Sequence, residues 1–396
     1  MRQVKLGLVG CGSSLSYLYG AICFNNLRAG QLVAVVDINS SRAEEGKTVL
    51  GANRAYTRYE DLLNDDEVEG VIICSPPQVH EEQVVAAARA GKDILCEKPM
   101  APTVEACHRM IDACQEAGSV LMLGYMKPYN KCFERVTEIV SSGVLGKIFT
   151  CRITWDDCAG LGSLGMRGQL SSGGGLFQDH GPHTVDLCRR WFGEVTEVQG
   201  IVDTISSARE VEDVVVAVLR HESGVSSVHQ MTHVNHRGPI EMYEICGSQA
   251  ALLVWADWST SAEPAPLRII LHKSADRGQC TQAAVQTTEY TPFGRWSPQE
   301  ELRVSWQYLK ELEEFCDCIA TRRSPRTTGL DGLKGIEVVN ALYLSALEGR
   351  TVRLPLDKNP DLPRLFRTLR ERREKWGMAS PEEMGDWWHL PGLQNK

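Results

Sequence analysis

Near its beginning the chain reads Val4-Lys-Leu-Gly-Leu-Val-Gly10-Cys-Gly12, an apolar run that ends in closely spaced glycines. The run predicts a buried β-strand, and Gly10 permits a tight turn directly after it. Gly12 leaves room for the backbone to approach a phosphate at the N-terminus of the next helix. The third glycine of this pattern is missing, because Leu15 occupies its position. The stretch therefore predicts a strand-turn-helix unit of the dinucleotide-binding type.

The first 124 residues alternate apolar runs with helical patterns. Strands are predicted at residues 4–9, 32–36, 70–74, 93–96 and 120–124, with helices near 15–28, 41–50, 78–90 and 103–117. Continuous apolar strands separated by helices indicate a parallel sheet that is buried on both faces. The predicted fold class is α/β, beginning with a doubly wound Rossmann domain over residues 1–124.

After Gly124 the pattern is that of a second, α+β domain, which we expect over residues 125–350. A helix near 129–141 and a strand at 148–155 precede a helix that ends near residue 192. Further strands are predicted at 195–202, 213–220, 225–233, 240–246 and 267–272, followed by helices near 299–320 and 330–347. This order indicates a large, mostly antiparallel sheet. We expect the tail, residues 351–396, to pack on the surface or on a neighbouring subunit.

Length and composition exclude several classes of protein. A chain of 396 residues favours two domains. Its net charge of −9 argues against nucleic-acid binding, and no apolar run approaches the roughly 18 residues of a membrane span. The 14 cysteines are scattered and lie mostly in apolar segments, which favours reduced thiols and a cytoplasmic location. The exposed face of a large sheet favours a homodimer or homotetramer.

Asp37 strengthens the dinucleotide prediction. It ends the second predicted strand, 25 residues after Gly12. A carboxylate at this point can accept hydrogen bonds from the adenosine ribose hydroxyls, and it repels a 2′-phosphate. The cofactor is therefore expected to be NAD, although Arg42 is near enough in sequence to leave NADP open.

Several motifs follow one another in a fixed order. They are residues 7–12, Ser75-Pro76-Pro77 with His80, Glu97-Lys98-Pro99, Gly124-Tyr125, Gly174-Gly175 and Asp179-His-Gly-Pro-His183-Thr-Val-Asp186. In this order they resemble the glucose–fructose oxidoreductase, inositol dehydrogenase and rhizopine-catabolism family, and the likeness covers residues 4–350. The resemblance implies an NAD-dependent oxidoreductase that acts on a secondary hydroxyl of a sugar, glycoside or cyclitol. The cofactor residues that we expect are Gly10, Gly12, Ser13, Asp37, Ser75, Pro76, His80, Glu97 and Lys98.

The resemblance also implies that Lys98, Asp179 and His183 form the catalytic group. Lys98 follows a predicted strand at the carboxyl edge of the sheet, where its charge favours a developing alkoxide. Asp179 and His183 are four residues apart and share one face of a helix. An imidazole titrates near neutrality and can take the hydroxyl proton. Pro182 is expected to kink or restart this helix.

The candidate substrate contacts combine aromatic and charged side chains. They are Tyr125, Lys127, Arg152, Trp155, Asp156 and His180. Pro128 and Lys131 stand where many members of the resembled family carry an arginine and then a proline. Contacts made by that arginine are not carried over, and Lys127 is the candidate replacement.

A metal site is an alternative interpretation of the histidines. His180 and His183 have a His-x-x-His spacing, and His229, His233 and His236 could add ligands. Because Lys98 already supplies the positive charge at the hydroxyl, we predict no metal.

Three functions remain open from the sequence. The first is the dehydrogenase, and the Gln178-Asp-His-Gly-Pro-His183 segment resembles members that act at C3 of glycosides. The second is an NAD-dependent glycosidase that works by transient C3 oxidation and elimination. The third is a non-catalytic dinucleotide-binding regulator. Lys98, Asp179 and His183 favour an enzyme, since a sensor needs no proton-transfer group.

Overall fold

The computed structural model describes residues 2–12, 20–156, 165–206, 209–234, 240–257, 267–275, 279–283, 288–290 and 306–376. The chain divides into two compact units. The first comprises Met1–Arg135 and Pro292–Ile336, and the second comprises Val136–Thr291 and Glu337–Lys396. The sequence predicted one boundary, after Gly124. The structure divides the chain differently, because the late segment Pro292–Ile336 belongs to the first unit. This return of the chain to the first unit follows from long-range packing and has no local sequence pattern.

The first unit contains a six-stranded parallel sheet in the order β3-β2-β1-β4-β5-β6. Its strands are β1 (Val4–Val9), β2 (Gly30–Val36), β3 (Arg54–Tyr56), β4 (Gly70–Ile73), β5 (Asp93–Cys96) and β6 (Leu121–Leu123). This strand order is that of the Rossmann fold, so the predicted fold class is confirmed. Strand β3 was not predicted from the sequence, because a strand of three residues is too short to show a periodic pattern.

Most of the helices lie at predicted positions, but the helices at Tyr59–Leu63 and Leu362–Lys375 were not predicted from the sequence. The helices are α1 (Gly20–Asn26), α2 (Ser40–Leu50), α3 (Tyr59–Leu63), α4 (His80–Arg89), α5 (Val104–Ala117), α6 (Lys131–Ser141), α7 (Leu176–Phe192), α8 (Trp306–Thr321), α9 (Gly329–Glu348) and α10 (Leu362–Lys375). Within the described ranges, every helix is too short or too polar to span a bilayer. Both faces of the first sheet are buried, one against Phe315 of α8 and the other against Ala106 of α5.

The second unit is built on a ten-stranded sheet. Its strands are β7 (Ile148–Asp156), β8 (Val195–Asp203), β9 (Val214–His221), β10 (Ser226–Thr232), β11 (Ile240–Gly247), β12 (Ala250–Asp257), β13 (Leu267–Ala275), β14 (Gln279–Ala283), β15 (Thr288–Tyr290) and β16 (Val352–Arg353). The order is β14-β13-β12-β11-β7-β10-β9-β8-β16, and β15 pairs with β13. The pair β7–β10 is parallel and the other pairs are antiparallel, which confirms the predicted mostly antiparallel sheet.

One face of this sheet is covered and the other is open along β9. Val215, Ala217 and Leu219 are buried, whereas Val216 and Val218 between them are exposed. This alternation has the period of two that a strand imposes on its side chains. Helices α7 and α9 supply apolar side chains to the core on the covered face.

The tail was predicted to pack on the surface or on a neighbouring subunit, but its described part places apolar side chains in the core. Helix α10 buries Leu365, Phe366 and Leu369 in the core of the second unit. The Asp361 side chain accepts a hydrogen bond from the Arg364 N–H and caps the helix. Spacings of one, three and four residues place these apolar side chains on one helix face. The described part of the tail, up to residue 376, therefore contributes to the core.

Candidate active site

The glycine turn after β1 has the shape that a dinucleotide phosphate requires. Gly10 has φ +92°, and a Cβ there would lie 3.1 Å from the Cys74 backbone. The Gly10 N–H donates to the Val36 carbonyl at 2.8 Å, which holds the turn against β2. At Gly12 no heavy atom of the described residues lies within 4 Å of the Cβ position, so they leave this side of the backbone open. The turn thus fits NAD, while Ser13 and Leu15 lie outside the described residues.

Asp37 holds the same turn in addition to its predicted role. Its Oδ2 accepts the Cys11 N–H and its Oδ1 accepts the Asn39 N–H, each at 2.8 Å. Each carboxylate oxygen keeps a second lone pair that can accept a ribose hydroxyl. Burial and the nearby Asp37 charge raise the pKa of the Cys11 thiol to about 12, so the thiol stays protonated. Ile38 is 97% exposed and offers apolar surface beside the carboxylate.

His80 ties two loops together and is itself 1% exposed. Its Nε2 lies 2.8 Å from the Ser75 carbonyl oxygen, and its Nδ1 lies 3.1 Å from that of Pro99. Burial lowers the pKa of His80. Because both ring nitrogens face main-chain carbonyls, this residue holds the loops after β4 and β5 rather than reaching a ligand itself. The direction of the ring is set by these tertiary contacts, which the motif alone does not reveal.

Lys98 lies at the carboxyl end of β5. Its N–H donates to the Glu97 Oε2 at 3.1 Å, and Glu97 is buried. A Cβ at Gly124 would lie 2.9 Å from the Glu97 carboxylate, which explains the glycine at that position. The carboxyl ends of parallel strands meet at one edge of a sheet, so Lys98 shares an edge with Asp37. The peptide bond from Lys98 to Pro99 is cis.

Tyr125 and Lys127 are both buried in the first unit. Tyr125 packs in the core on one face of the sheet. The Lys127 Nζ lies 5.3 Å from the ring centroid of Phe133, a cation–π arrangement. Their assignment as substrate contacts stays a prediction.

In the second unit, α7 begins immediately after Gly174 and Gly175. A Cβ at Gly174 would lie 2.2 Å from the Arg167 carbonyl oxygen, and Gly175 has φ +139°. The helix then runs continuously through Pro182, so the expected restart is not seen. Asp179 and His183 are therefore one turn apart on a continuous helix.

The residues around Asp179 form a compact cluster. Its Oδ2 lies 3.4 Å from the Arg167 Nη1 and 3.6 Å from the His180 Nε2. The His180 ring stacks on Trp155, with centroids 4.4 Å apart and planes inclined by 28°. The sequence analysis predicted Trp155, Asp179 and His180 as site residues and missed Arg167. An arginine within a glycine-rich stretch was the available indication.

His233 adds a neutral imidazole to this cluster. Its ring meets the His180 ring edge-on, with centroids 5.2 Å apart. The Arg209 Nη1 lies 2.9 Å from the His233 Nδ1. A guanidinium can only donate, so this ring nitrogen is unprotonated and accepts. Burial, followed by the Arg209 charge, lowers the pKa of His233 to about 4.

His229 is also engaged in hydrogen bonds. Its Nδ1 lies 3.1 Å from the Thr184 Oγ1, and its Nε2 lies 3.1 Å from the Ser227 Oγ. Among the residues that the structure describes, no group of three or more His, Cys, Asp or Glu side chains could hold a metal ion. His236 lies outside those residues.

Arg152 lies on the opposite face of the sheet from Trp155. Its Nη2 pairs with the Glu244 Oε2 at 2.5 Å, and its side chain is 61% exposed. Side chains alternate along a strand, and an odd spacing of three residues separates Arg152 from Trp155. Arg152 therefore lies apart from His180, and its assignment as a substrate contact stays a prediction. Asp156, the last residue of β7, is buried.

Comparisons with known proteins bear on both units. The family model described as an oxidoreductase family with an NAD-binding Rossmann fold matches residues 4–125, and the GFO/IDH/MocA C-terminal domain matches residues 133–253. The chain is 27% identical to D-apiose dehydrogenase of Paraburkholderia graminis, over 89% of this chain and 90% of the relative. It is 28% identical to myo-inositol 2-dehydrogenase of Thermotoga maritima, over 89% and 98%. The solved structure of levoglucosan dehydrogenase with NADH and levoglucosan has the same fold, with TM-score 0.76 and 21% identity over 89% of this chain and 100% of that one.

Proposed function

Because the chain belongs to the GFO/IDH/MocA family of NAD-binding oxidoreductases, we propose that it oxidises a secondary hydroxyl of a sugar, glycoside or cyclitol. The observation that carries the proposal is the arrangement of Asp179, His180 and His183 on α7. Asp179 and His183 are one turn apart, and His180 stacks on Trp155 beside them. Relatives are named for D-apiose and myo-inositol, which are both polyhydroxylated.

Each side chain has a distinct role in this proposal. The imidazole of His183 accepts the hydroxyl proton, and the carboxylate of Asp179 orients the substrate through a hydroxyl. The ammonium of Lys98 donates a hydrogen bond to the reacting oxygen and stabilises its developing negative charge. The glycine turn and Asp37 would hold NAD, which would supply the hydride-accepting chemistry for this oxidation. The aromatic side chain of Trp155 is the proposed apolar contact for a sugar ring.

The turn around Gly10 and Gly12 holds the pyrophosphate in this proposal. Its backbone is open at Gly12, where phosphate oxygens can approach. Asp37 accepts hydrogen bonds from the adenosine ribose and disfavours a 2′-phosphate. Ser75 and Pro76 follow β4 at the same edge of the sheet, where His80 fixes their backbone.

Replacement of His183 by alanine tests the catalytic assignment. We expect kcat to fall by about 10²–10⁴-fold, the usual contribution of general acid–base catalysis. NAD affinity should change little, because His183 belongs to the second unit and the glycine turn belongs to the first. The exposed His108 on α5, replaced by alanine, is the matched control. Near-full turnover of His183→Ala with an unaltered pH profile would show that another group carries the proton.

A substrate screen separates this function from the glycosidase. NADH absorbance is followed with free sugars, inositols and aryl or C-linked glycosides, while products are measured in parallel. A dehydrogenase accumulates NADH in proportion to product. Cleavage of a glycoside without NADH accumulation would instead indicate transient oxidation. NAD binding with no turnover on any of these compounds would favour a regulator.

The open face of the second sheet is our proposed surface for a homodimer or homotetramer. Ile201, Val216 and Val218 expose 60%, 38% and 43% of their surface. Apolar patches of this kind on soluble proteins often mark association surfaces. We also propose a cytoplasmic location, which the free cysteines within the described residues support.

A further inference from the structure

Helix α7 begins without a side-chain cap of its own. Its N-cap residue is Gly175, and the first N–H groups of a helix have no partner within the helix. The Leu176 N–H donates to the Glu212 carbonyl oxygen at 3.3 Å. The Phe177 N–H donates to the Glu212 Oε1 at 2.8 Å. One residue, 35 positions away along the chain, therefore satisfies two of these groups through its main chain and its side chain.

Tyr343 completes this remote cap. Its hydroxyl donates to the Glu212 Oε1 at 2.7 Å. Burial raises the pKa of the Tyr343 hydroxyl well above its usual range. A hydrogen bond from the Gln178 backbone to the same hydroxyl partly offsets this increase. The phenol therefore stays protonated and remains a donor. Glu212 and Tyr343 together hold the first turn of α7, directly before Asp179.

The carboxyl group of Glu212 is buried, and burial disfavours its charged form. The residue is fully buried, and its Oε2 has no hydrogen-bond partner among the described residues. Burial raises the pKa of Glu212 to about 7. A Cβ at Gly175 would lie 2.8 Å from this Oε2, so the glycine is what admits the carboxyl beneath the helix. The titratable groups that face it are Tyr343 of α9 and the neighbouring Asp213.

We propose that Glu212, held by Tyr343, is a positioning residue that fixes the first turn of α7 and so places Asp179 and His183 for catalysis. This inference rests on the proposed function for its catalytic consequence. Phe177 lies only two residues before Asp179, so a shift of the capped turn moves the catalytic side chains with it. A displacement of about 1 Å can lower a rate on the order of 100-fold.

The test compares Glu212→Ala, Glu212→Gln and Tyr343→Phe with the wild-type enzyme. Glutamine keeps an acceptor at the Oε1 position, whereas alanine removes it. We expect alanine to lower kcat by at least about tenfold and glutamine to restore most of that loss. NAD affinity should be unchanged in all three variants, because the glycine turn lies in the first unit. The matched control is Glu222→Gln, which alters an exposed carboxylate.

Amide hydrogen exchange gives a readout that does not depend on turnover. The amides of residues 176–178 should exchange roughly tenfold faster in Glu212→Ala and in Tyr343→Phe, while those of β4 and β5 stay unchanged. Faster exchange at this turn with unchanged kcat would overturn the positioning role. Unchanged exchange would overturn the cap itself. If the wild-type enzyme turns over none of the screened compounds, the proposed function fails, and the exchange data still decide whether Glu212 is the cap.

Discussion

Replacement of Glu212 by glutamine should change how the stability of the protein depends on pH. The folded-state pKa of this carboxyl is raised from 4.5 to about 7, with burial as the largest cause. Below the unfolded-state value, both states bind the proton and the group adds no pH dependence. Between about pH 4.5 and pH 7 only the folded state retains the proton, so stability falls as pH rises. Above the folded-state value, the loss is complete.

The size of the effect follows from the width of this window. Each pKa unit corresponds to about 1.4 kcal/mol, so wild-type protein should lose about 3 kcal/mol of unfolding free energy across the window. Glutamine does not titrate, and other groups contribute equally to both proteins. The difference in stability between wild-type protein and Glu212→Gln should therefore shift by about 3 kcal/mol in favour of the variant as pH rises.

Urea unfolding of both proteins without cofactor, from about pH 4 to pH 8, measures this difference. Any pH-independent cost of the buried amide in the variant cancels, because only the slope with pH is compared. Glu222→Gln serves as the control, and its difference from wild-type protein should stay flat, since that carboxylate is exposed. A flat difference for Glu212→Gln would refute the raised pKa. A difference of opposite sign would show that the folded protein holds Glu212 as a stabilised anion.

Three further outcomes are expected. The enzyme should bind NAD more tightly than NADP by at least about tenfold, or 1.4 kcal/mol. Asp37→Ala should reduce this preference for NAD. Equal affinities for NAD and NADP in titrations of the wild-type enzyme would indicate that Arg42 accommodates the 2′-phosphate. Exhaustive chelation should leave turnover intact, and activity that is lost and then restored by added metal would make the histidines ligands. Val216→Glu should convert the proposed homodimer or homotetramer to monomers in light scattering, because it places a charge on the open face of β9; an unchanged mass would place the interface elsewhere.

The sequence by itself determined the first sheet and the residues at its edge. The buried strands of a parallel sheet appear as continuous apolar runs, and their carboxyl ends coincide with loops that bind ligands. Gly10, Asp37 and Lys98 could therefore be assigned to one edge without coordinates. Asp179 and His183 could be assigned to one helix face for a similar reason, because the helical period is local. Four residues of separation give the same geometry in any α-helix.

Only the tertiary structure decided which side chains lie around Asp179 and which ones hold the first turn of α7. Arg152 and Trp155 lie on one predicted strand, but the side of that strand that meets the helix depends on how the sheet packs. Tyr343 reaches Glu212 across 131 positions of chain, a pairing that no local period encodes. A buried polar group needs a partner wherever the fold can supply one, and low-dielectric surroundings make that partner decisive. Local periodicity therefore identified the elements, while burial selected the partners that hold the candidate catalytic turn in place.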